Sequence, residues 1–335
     1  MIYTAILALI FFVRRLPRNI YFYFVGFILI IVSGFRGVDV GIDTYTYSQI
    51  FKTIINQDLS VSFISLDLEK GFVLFNYLVA VLFGDNFQVL LIIASLFFIF
   101  TVGLIVYEYS EIAWMSFYLF IALGYYTFGM SGMRQAIAIG FTLLSYHLVK
   151  RGKIFISIIT FVLAILFHYS AVIFLPIYFI RRLKINNINV LVSLFLIVLI
   201  KLYAIYIFSF MNGFARTPYE EVETGGVLMY YFIVITAVFG YYYRVRLNRK
   251  DDDLFFMMIA TIALWPIAQI NQAMFRITFY YSFFIVVFMP NSLKLVEDKR
   301  LRLIYGAVYL LVTSYFFYEK VLFDGSMLIP YRLFW

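Results

Sequence analysis

Apolar residues in this chain gather into long runs separated by short polar or basic connections. The runs fall at about 1–13, 20–34, 70–83, 87–107, 112–128, 134–149, 154–167, 169–180, 188–208, 227–243, 254–270, 275–290 and 302–318. Many approach the roughly 20 residues that a membrane-spanning helix needs. The pattern predicts an all-α polytopic membrane protein in which residues 1–335 form one integral membrane domain. The first run precedes its basic cluster, Arg14-Arg15-Leu16-Pro17-Arg18. That order is the reverse of a signal peptide and marks the run as a transmembrane helix.

Lysine and arginine orient the runs, because cytoplasmic loops are enriched in both. Arg14, Arg15 and Arg18 place the first connection inside. Four more connections are basic: Lys150-Arg151-Gly152-Lys153, Arg181-Arg182-Leu183-Lys184, Arg244 to Lys250, and Lys294 to Arg302. With all five in the cytoplasm, every run except 70–83 fits as a full crossing. Counting that short run as a span reverses the parity of everything after it, so it is expected to be re-entrant or to lie flat on the outer face. The outcome is about 12 transmembrane helices with both termini outside and long outer segments at 35–69, 209–226 and 319–335. Both flanks of 154–180 are basic, which favours a hairpin of two short helices over one continuous span.

Composition agrees with a bilayer protein. The chain is 64% hydrophobic and 13% charged, whereas soluble domains carry roughly 25% charged residues. It has no cysteine, which excludes disulfides, thiol catalysis and cysteine-held metals. The net charge of +8 reflects basic cytoplasmic loops and not a nucleic-acid partner. The chain is rich in tyrosine, which suits membrane interfaces and stacking on sugars.

Polar residues inside or beside the apolar runs are the candidates for chemistry. A charge at the bilayer centre costs roughly 2.5–3.5 kcal/mol on the mildest scale, so such residues usually face a cavity and act there. The first outer segment holds Arg36, Asp39, Asp43, Tyr45 and Tyr47 among flexible glycines. The arginine fork pairs bidentately with phosphate oxygens, and the tyrosines suit a sugar. The ordinary alternative is a solvated loop with an interfacial arginine. Arg134-Gln135 opens a helix on the outer side, where the dipole and free N–H groups favour anions. A cation there points to an anionic partner, against the alternative of snorkelling to the interface. His168 lies at the turn of the expected hairpin, suited to general base catalysis on a hydroxyl or to a structural hydrogen bond. Arg276 is again a cation at an outer helix start. Asp43, Glu69 and Asp67 are available to hold the arginines apart when no ligand is bound.

Several patterns carry less. Asp251-Asp252-Asp253 looks like an acidic metal cluster but reads better as a solvated helix cap, and Glu220, Glu221 and Glu223 are ambiguous. His147 lies near a cytoplasmic helix end and reads as interfacial. Zinc-hydrolase, P-loop and nucleophile-elbow motifs are absent from the sequence, which leaves ATP-driven transport and zinc hydrolysis without support.

Taken in order, the polar blocks resemble the EpsG/Wzy family of bacterial polysaccharide polymerases. The blocks are Phe35-Arg36-Gly37 with Gly41-Ile42-Asp43-Thr44-Tyr45; Glu69-Lys70-Gly71-Phe72; Met133-Arg134-Gln135-Ala136-Ile137-Ala138; Phe167-His168-Tyr169-Ser170-Ala171; Phe275-Arg276-Ile277 with Pro290; and Pro330-Tyr331. The resemblance implies a GT-C-like membrane glycosyltransferase of the bacterial inner membrane with its active site facing the periplasm or exterior. It implies a reaction that joins oligosaccharide repeat units carried on undecaprenyl diphosphate into O-antigen, capsule or exopolysaccharide. No cofactor or metal is expected, and a chain-length regulator protein is an expected partner. On this reading His168 is the base, with Asp43 its rival. Arg134, Gln135 and Arg276 hold a diphosphate, and Arg36 holds the second diphosphate or Asp43. Tyr45, Tyr47, Glu69 and the outer loop 209–226 meet sugars. The rival readings are a flippase or transporter of lipid-linked sugars, a membrane O-acyltransferase, and a polysaccharide ligase.

Overall fold

The computed structural model describes residues 2–213, 226–248, 252–319 and 328–334. Among them the chain is helical, and the only strand-like pairing is one isolated bridge between Arg36 and Leu333. The described part divides into two units. The first comprises Met1–Tyr109, Ala113–Val172 and Leu310–Trp335; the second comprises Ser110–Ile112 and Ile173–Tyr309.

The first unit contains α1 (Ile2–Phe12), α2 (Arg18–Gly34), α3 (Thr44–Ile55), α4 (Leu59–Ser65), α5 (Lys70–Phe83), α6 (Phe87–Tyr109), α7 (Ala113–Ala122), α8 (Tyr125–Ser131), α9 (Met133–Lys150) and α10 (Ile154–Phe167). Its core joins four of these helices: Tyr47 and Phe51 from α3, Phe72 and Val79 from α5, Leu90, Leu91 and Ala94 from α6, and Met133 and Ile137 from α9. Helices α9 and α10 form a tight pair through the connection 151–153. Ser145 and Ser157, both buried, clasp the pair reciprocally. The two hydroxyl oxygens are 2.9 Å apart, and each hydroxyl also donates to the other residue's carbonyl, at 3.1 and 3.0 Å. Such side-chain bonds serve between apolar helices because lipid-like surfaces give little hydrophobic drive to association.

The second unit contains α11 (Ile177–Ile180), α12 (Asn187–Leu202), α13 (Ala204–Asn212), α14 (Val227–Arg246), α15 (Asp253–Ala268), α16 (Gln272–Phe275), α17 (Phe279–Ser282), α18 (Ile285–Lys294) and most of α19 (Lys299–Phe317). Arg244 on α14 is buried. It donates to Asp252 and, at 2.7 Å, to the Ser292 hydroxyl, and it lies 4.1 Å from the centre of the Phe288 ring. Asp252 also caps α15 by accepting from the Leu254 N–H at 3.1 Å. The stretch thus caps a helix at Asp252 but is not solvated as expected, since Asp252 pairs with the buried Arg244 and Asp253 is itself buried; Asp251 lies outside the described residues, as do Glu220, Glu221, Glu223 and most of 209–226.

The helical class stands, but the expected number of full crossings is not what the described residues show. Two helices, α6 and α14, are long and apolar enough to span a bilayer. A third results if α12 and α13, bent by 66° at Tyr203, count as one. Other apolar runs are shorter helices or are interrupted. Run 112–128 breaks at Gly124, whose φ of 84° is a left-handed value that glycine adopts without a side-chain clash. Run 169–180 begins as a 3-10 turn over Tyr169–Phe174, and run 275–290 holds the 3-10 turn Arg276–Thr278 before α17 and α18. Helix α5 covers 70–83 and is about 21 Å long at 1.5 Å per residue, well short of a roughly 30 Å hydrocarbon core. Segment 154–180 is not one continuous helix. The chain leaves α10 at His168, in an extended conformation, and its continuation beyond Val172 belongs to the second unit.

Candidate functional site

Glu69 is the N-cap residue of α5, but its side chain makes no cap. Its backbone carbonyl starts the helix, accepting from the N–H groups of Phe72 at 3.0 Å and Val73 at 3.1 Å. The carboxylate is thereby left for two other groups. Oε2 accepts from the Arg134 guanidinium at 2.7 Å, and Oε1 lies 2.8 Å from Nδ1 of His168. The Glu69 side chain is only 4% exposed, whereas Arg134 and His168 keep 26% and 28%. An anion shielded by protein thus holds a cation and an imidazole that both reach solvent.

Each partner arrives for a local reason. Arg134 stands in the first turn of α9, two residues after Gly132, which separates this helix from α8. The dipole there disfavours a cation, and Glu69 supplies the compensating anion from within the chain. His168 stands where α10 ends, its N–H still bonded to the Ala164 carbonyl at 2.9 Å. The two helix ends meet because Gly71 follows so closely on Glu69. A Cβ at Gly71 would lie 2.7 Å from the Leu166 carbonyl oxygen, inside any tolerated contact. Below the site, the Arg134 guanidinium lies 6.0 Å from the Tyr47 ring centre and 5.9 Å from that of Phe72, which themselves pack edge to face at 5.6 Å.

The electrostatics follow from this geometry. Burial pushes the Glu69 carboxyl upward, but the His168 hydrogen bond and the Arg134 charge outweigh it and hold the group down at about 2. Glu69 is therefore ionised throughout the physiological range. A carboxylate only accepts, so Nδ1 of His168 carries the hydrogen in this bond, and Nε2 of the neutral ring is an acceptor. A carboxylate bonded to Nδ1 of an imidazole is the arrangement by which an acid side chain orients a general base.

Arg36 follows the C-terminal end of α2. It is 2% exposed and donates to the Ser33 carbonyl and, at 2.8 Å, to the Met130 carbonyl. It thus ties together the last turns of α2 and α8, where a cation is favoured by both helix dipoles. Both of its terminal nitrogens are engaged on carbonyls. Thr44 shares the Met130 carbonyl at 3.3 Å. The segment at Pro330-Tyr331 runs alongside: the Tyr331 hydroxyl donates to the Val32 carbonyl at 2.7 Å, and Gly37 donates to the Arg332 carbonyl at 2.8 Å.

Of the other expected residues, Asp43 is half-buried at the N-cap of α3, and Gln135 is buried on α9. Tyr45 is 61% exposed, whereas Tyr47 is buried against Phe72, so of the two only Tyr45 presents a ring to a sugar in this state. Arg276 lies in the second unit, exposed, in the 3-10 turn that follows α16. Two features were not singled out in the sequence. One is Gly71 as the contact point of α5 with α10; the other is that Glu69, named there as an arginine partner, also holds His168. A glycine directly after a charged helix start was the available signal. Among the described residues no cluster of metal-ligating side chains is present. No curated protein and no solved structure matches the chain. The sequence model of one family, described as the EpsG family, matches residues 19–333, nearly the whole chain.

Proposed function

The chain belongs to the EpsG family, and from that premise we propose that it is a GT-C-like polysaccharide polymerase of the bacterial inner membrane. It joins oligosaccharide repeat units carried on undecaprenyl diphosphate, at the outer face and without a metal. The observation that carries the reading is the Glu69 carboxylate bonded at once to Arg134 and His168.

In the proposed step, Nε2 of His168 removes the proton of an acceptor sugar hydroxyl. The acceptor oxygen forms a bond to the anomeric carbon of the donor chain as the bond from that carbon to the carrier diphosphate breaks. The electron pair leaves with the diphosphate, and the imidazolium later returns its proton to solvent. A diphosphate leaves readily once its charge is met, so a preorganised cation matters more than an acid. Arg134 supplies that cation at the site, and Arg276 is assigned to a carrier phosphate in the second unit. Glu69 fixes the His168 tautomer and stabilises the imidazolium. Asp43 is the alternative base, Tyr45 the sugar platform, and Gln135 a support for the α9 start. Arg36 holds Met130 and α8 in place behind Arg134.

The surface polysaccharide of a deletion strain tests this reading against its rivals. Loss of a polymerase leaves a single repeat unit on the anchor, whereas loss of a flippase leaves none and loss of a ligase leaves the anchor bare. Loss of an O-acyltransferase leaves chain length intact. A single-repeat phenotype is expected, and any of the other three overturns the reading.

A further inference from the structure

Helix α14 runs from Val227 to Arg246, about 30 Å at 1.5 Å per residue, and is apolar enough to cross the hydrocarbon core. Its last turn therefore stands at a membrane surface, the cytoplasmic one in the topology expected from loop charges. A cavity of about 210 Å³ lies there, within the second unit. Its buried lining is apolar: Tyr243, Leu295 and Val296 pack into one cluster. Its exposed lining is charged. Arg246 comes from α14, and Glu297 and Asp298 come from the connection between α18 and α19. Arg246 and Glu297 have no ion pair, with each other or with any other described residue. Asp298 commits Oδ1 to the start of α19, accepting from the N–H groups of Arg300 at 2.7 Å and Leu301 at 3.1 Å.

We infer that this cavity binds the phosphoethanolamine headgroup of a bilayer lipid, with Arg246 on the phosphate and Glu297 and Asp298 on the ammonium. The inference is independent of the polymerase reading. A cavity at the end of a spanning helix lies at headgroup depth, so bilayer lipids are its nearest solutes. Leu301 lines the cavity and is exposed, which offers the acyl chains an apolar edge. The charges choose among headgroups. A phosphatidylglycerol head is attracted by Arg246 but repelled by two carboxylates. A choline head is zwitterionic but has no N–H to donate. An ethanolamine ammonium, like that of lysine, has three donors for the carboxylates. The size agrees, since about 210 Å³ is the volume of about seven waters in the liquid, and a phosphoethanolamine group has about eight heavy atoms.

Native mass spectrometry of the full-length protein in detergent tests this. Phosphatidylethanolamine, phosphatidylglycerol and phosphatidylcholine with identical acyl chains are titrated separately into wild type, Arg246→Gln and Glu297→Gln. Both substituted side chains are exposed and unpaired, so neither change breaks an ion pair of the fold. Wild type is expected to bind phosphatidylethanolamine tightest. Each variant is expected to bind it about fivefold more weakly, the scale of one exposed ion pair. Glu297→Gln is also expected to gain affinity for phosphatidylglycerol, because one repelling charge is gone. Equal affinity of wild type for all three lipids, or a preference for phosphatidylethanolamine that survives both substitutions, overturns the inference. Tightest binding of phosphatidylglycerol by wild type also overturns it and marks a plain anion site.

Discussion

At the residue scale the central object is Glu69, an acid nearly sealed from solvent and divided between two partners. Its carboxyl is displaced from an ordinary value of 4.5 to about 2, and a displacement of that size carries on the order of 3 kcal/mol of stability. Because the folded-state value is depressed, that contribution is present in full above about pH 4.5 and is lost as pH falls towards 2. Thermal melts of wild type and Glu69→Gln in detergent check this. The stability gap is expected to be constant at neutral pH and to close between about pH 4.5 and 2; a gap independent of pH across that window would show that Glu69 is not an ionised partner in the fold. The sequence already pointed to Arg134 and His168, because cations and imidazoles in apolar surroundings are conspicuous. It also offered Glu69 as an acid able to hold an arginine, and Glu69 does hold Arg134; that the same acid holds His168, and that Arg36 bonds two carbonyls, depends on which helix ends face them. Position 69 is one of three candidate arginine partners until α9 and α10 are placed beside it, and the carbonyls that Arg36 meets belong to helix ends distant in the sequence from one another.

At the element scale the site is a meeting of three helix ends: the start of α5, the start of α9 and the end of α10. Its precision depends on Gly71, where any side chain collides with the Leu166 backbone. Gly71→Ala is expected to push α5 from α10, destabilising by about 1–3 kcal/mol as overpacking does and lowering polymerisation through the displaced Glu69. Gly103→Ala in α6 and Gly306→Ala in α19 are the controls. Open space surrounds both positions, and removing a helical glycine there is expected to be neutral or to stabilise by up to about 1 kcal/mol. Melting temperatures and polysaccharide chain lengths of the three variants check the contrast; equal effects at all three positions would remove Gly71 as the spacer. Element existence was largely legible in the sequence, since apolar runs and basic connections mark α6, α9, α10 and α14 closely. Breaks inside runs were less so. Tyr203, where α12 bends into α13, carries no local breaker signal, and a tight glycine contact such as that of Gly71 depends on a partner far along the chain.

At the scale of the whole molecule, the proposed chemistry, glycosyl transfer with a positioned base and a positioned cation, rests on a family match over residues 19–333 and on a buried acid bonded to a histidine and an arginine. The residues that carried the resemblance fall into two groups in space. Those at Arg36, Glu69, Arg134 and His168, with Pro330-Tyr331, build the first unit's candidate site and its support, whereas Arg276 stands in the second unit. Order along the chain was enough to suggest the family, but it did not show that these blocks have different tasks. The most direct measurement is extension of lipid-linked repeat units by the purified protein in the presence of a chelator, comparing wild type with His168→Ala at equal folded concentration. A ladder of long products from wild type and only single repeats from His168→Ala is the expected result; a His168→Ala ladder of wild-type length and rate would contradict it.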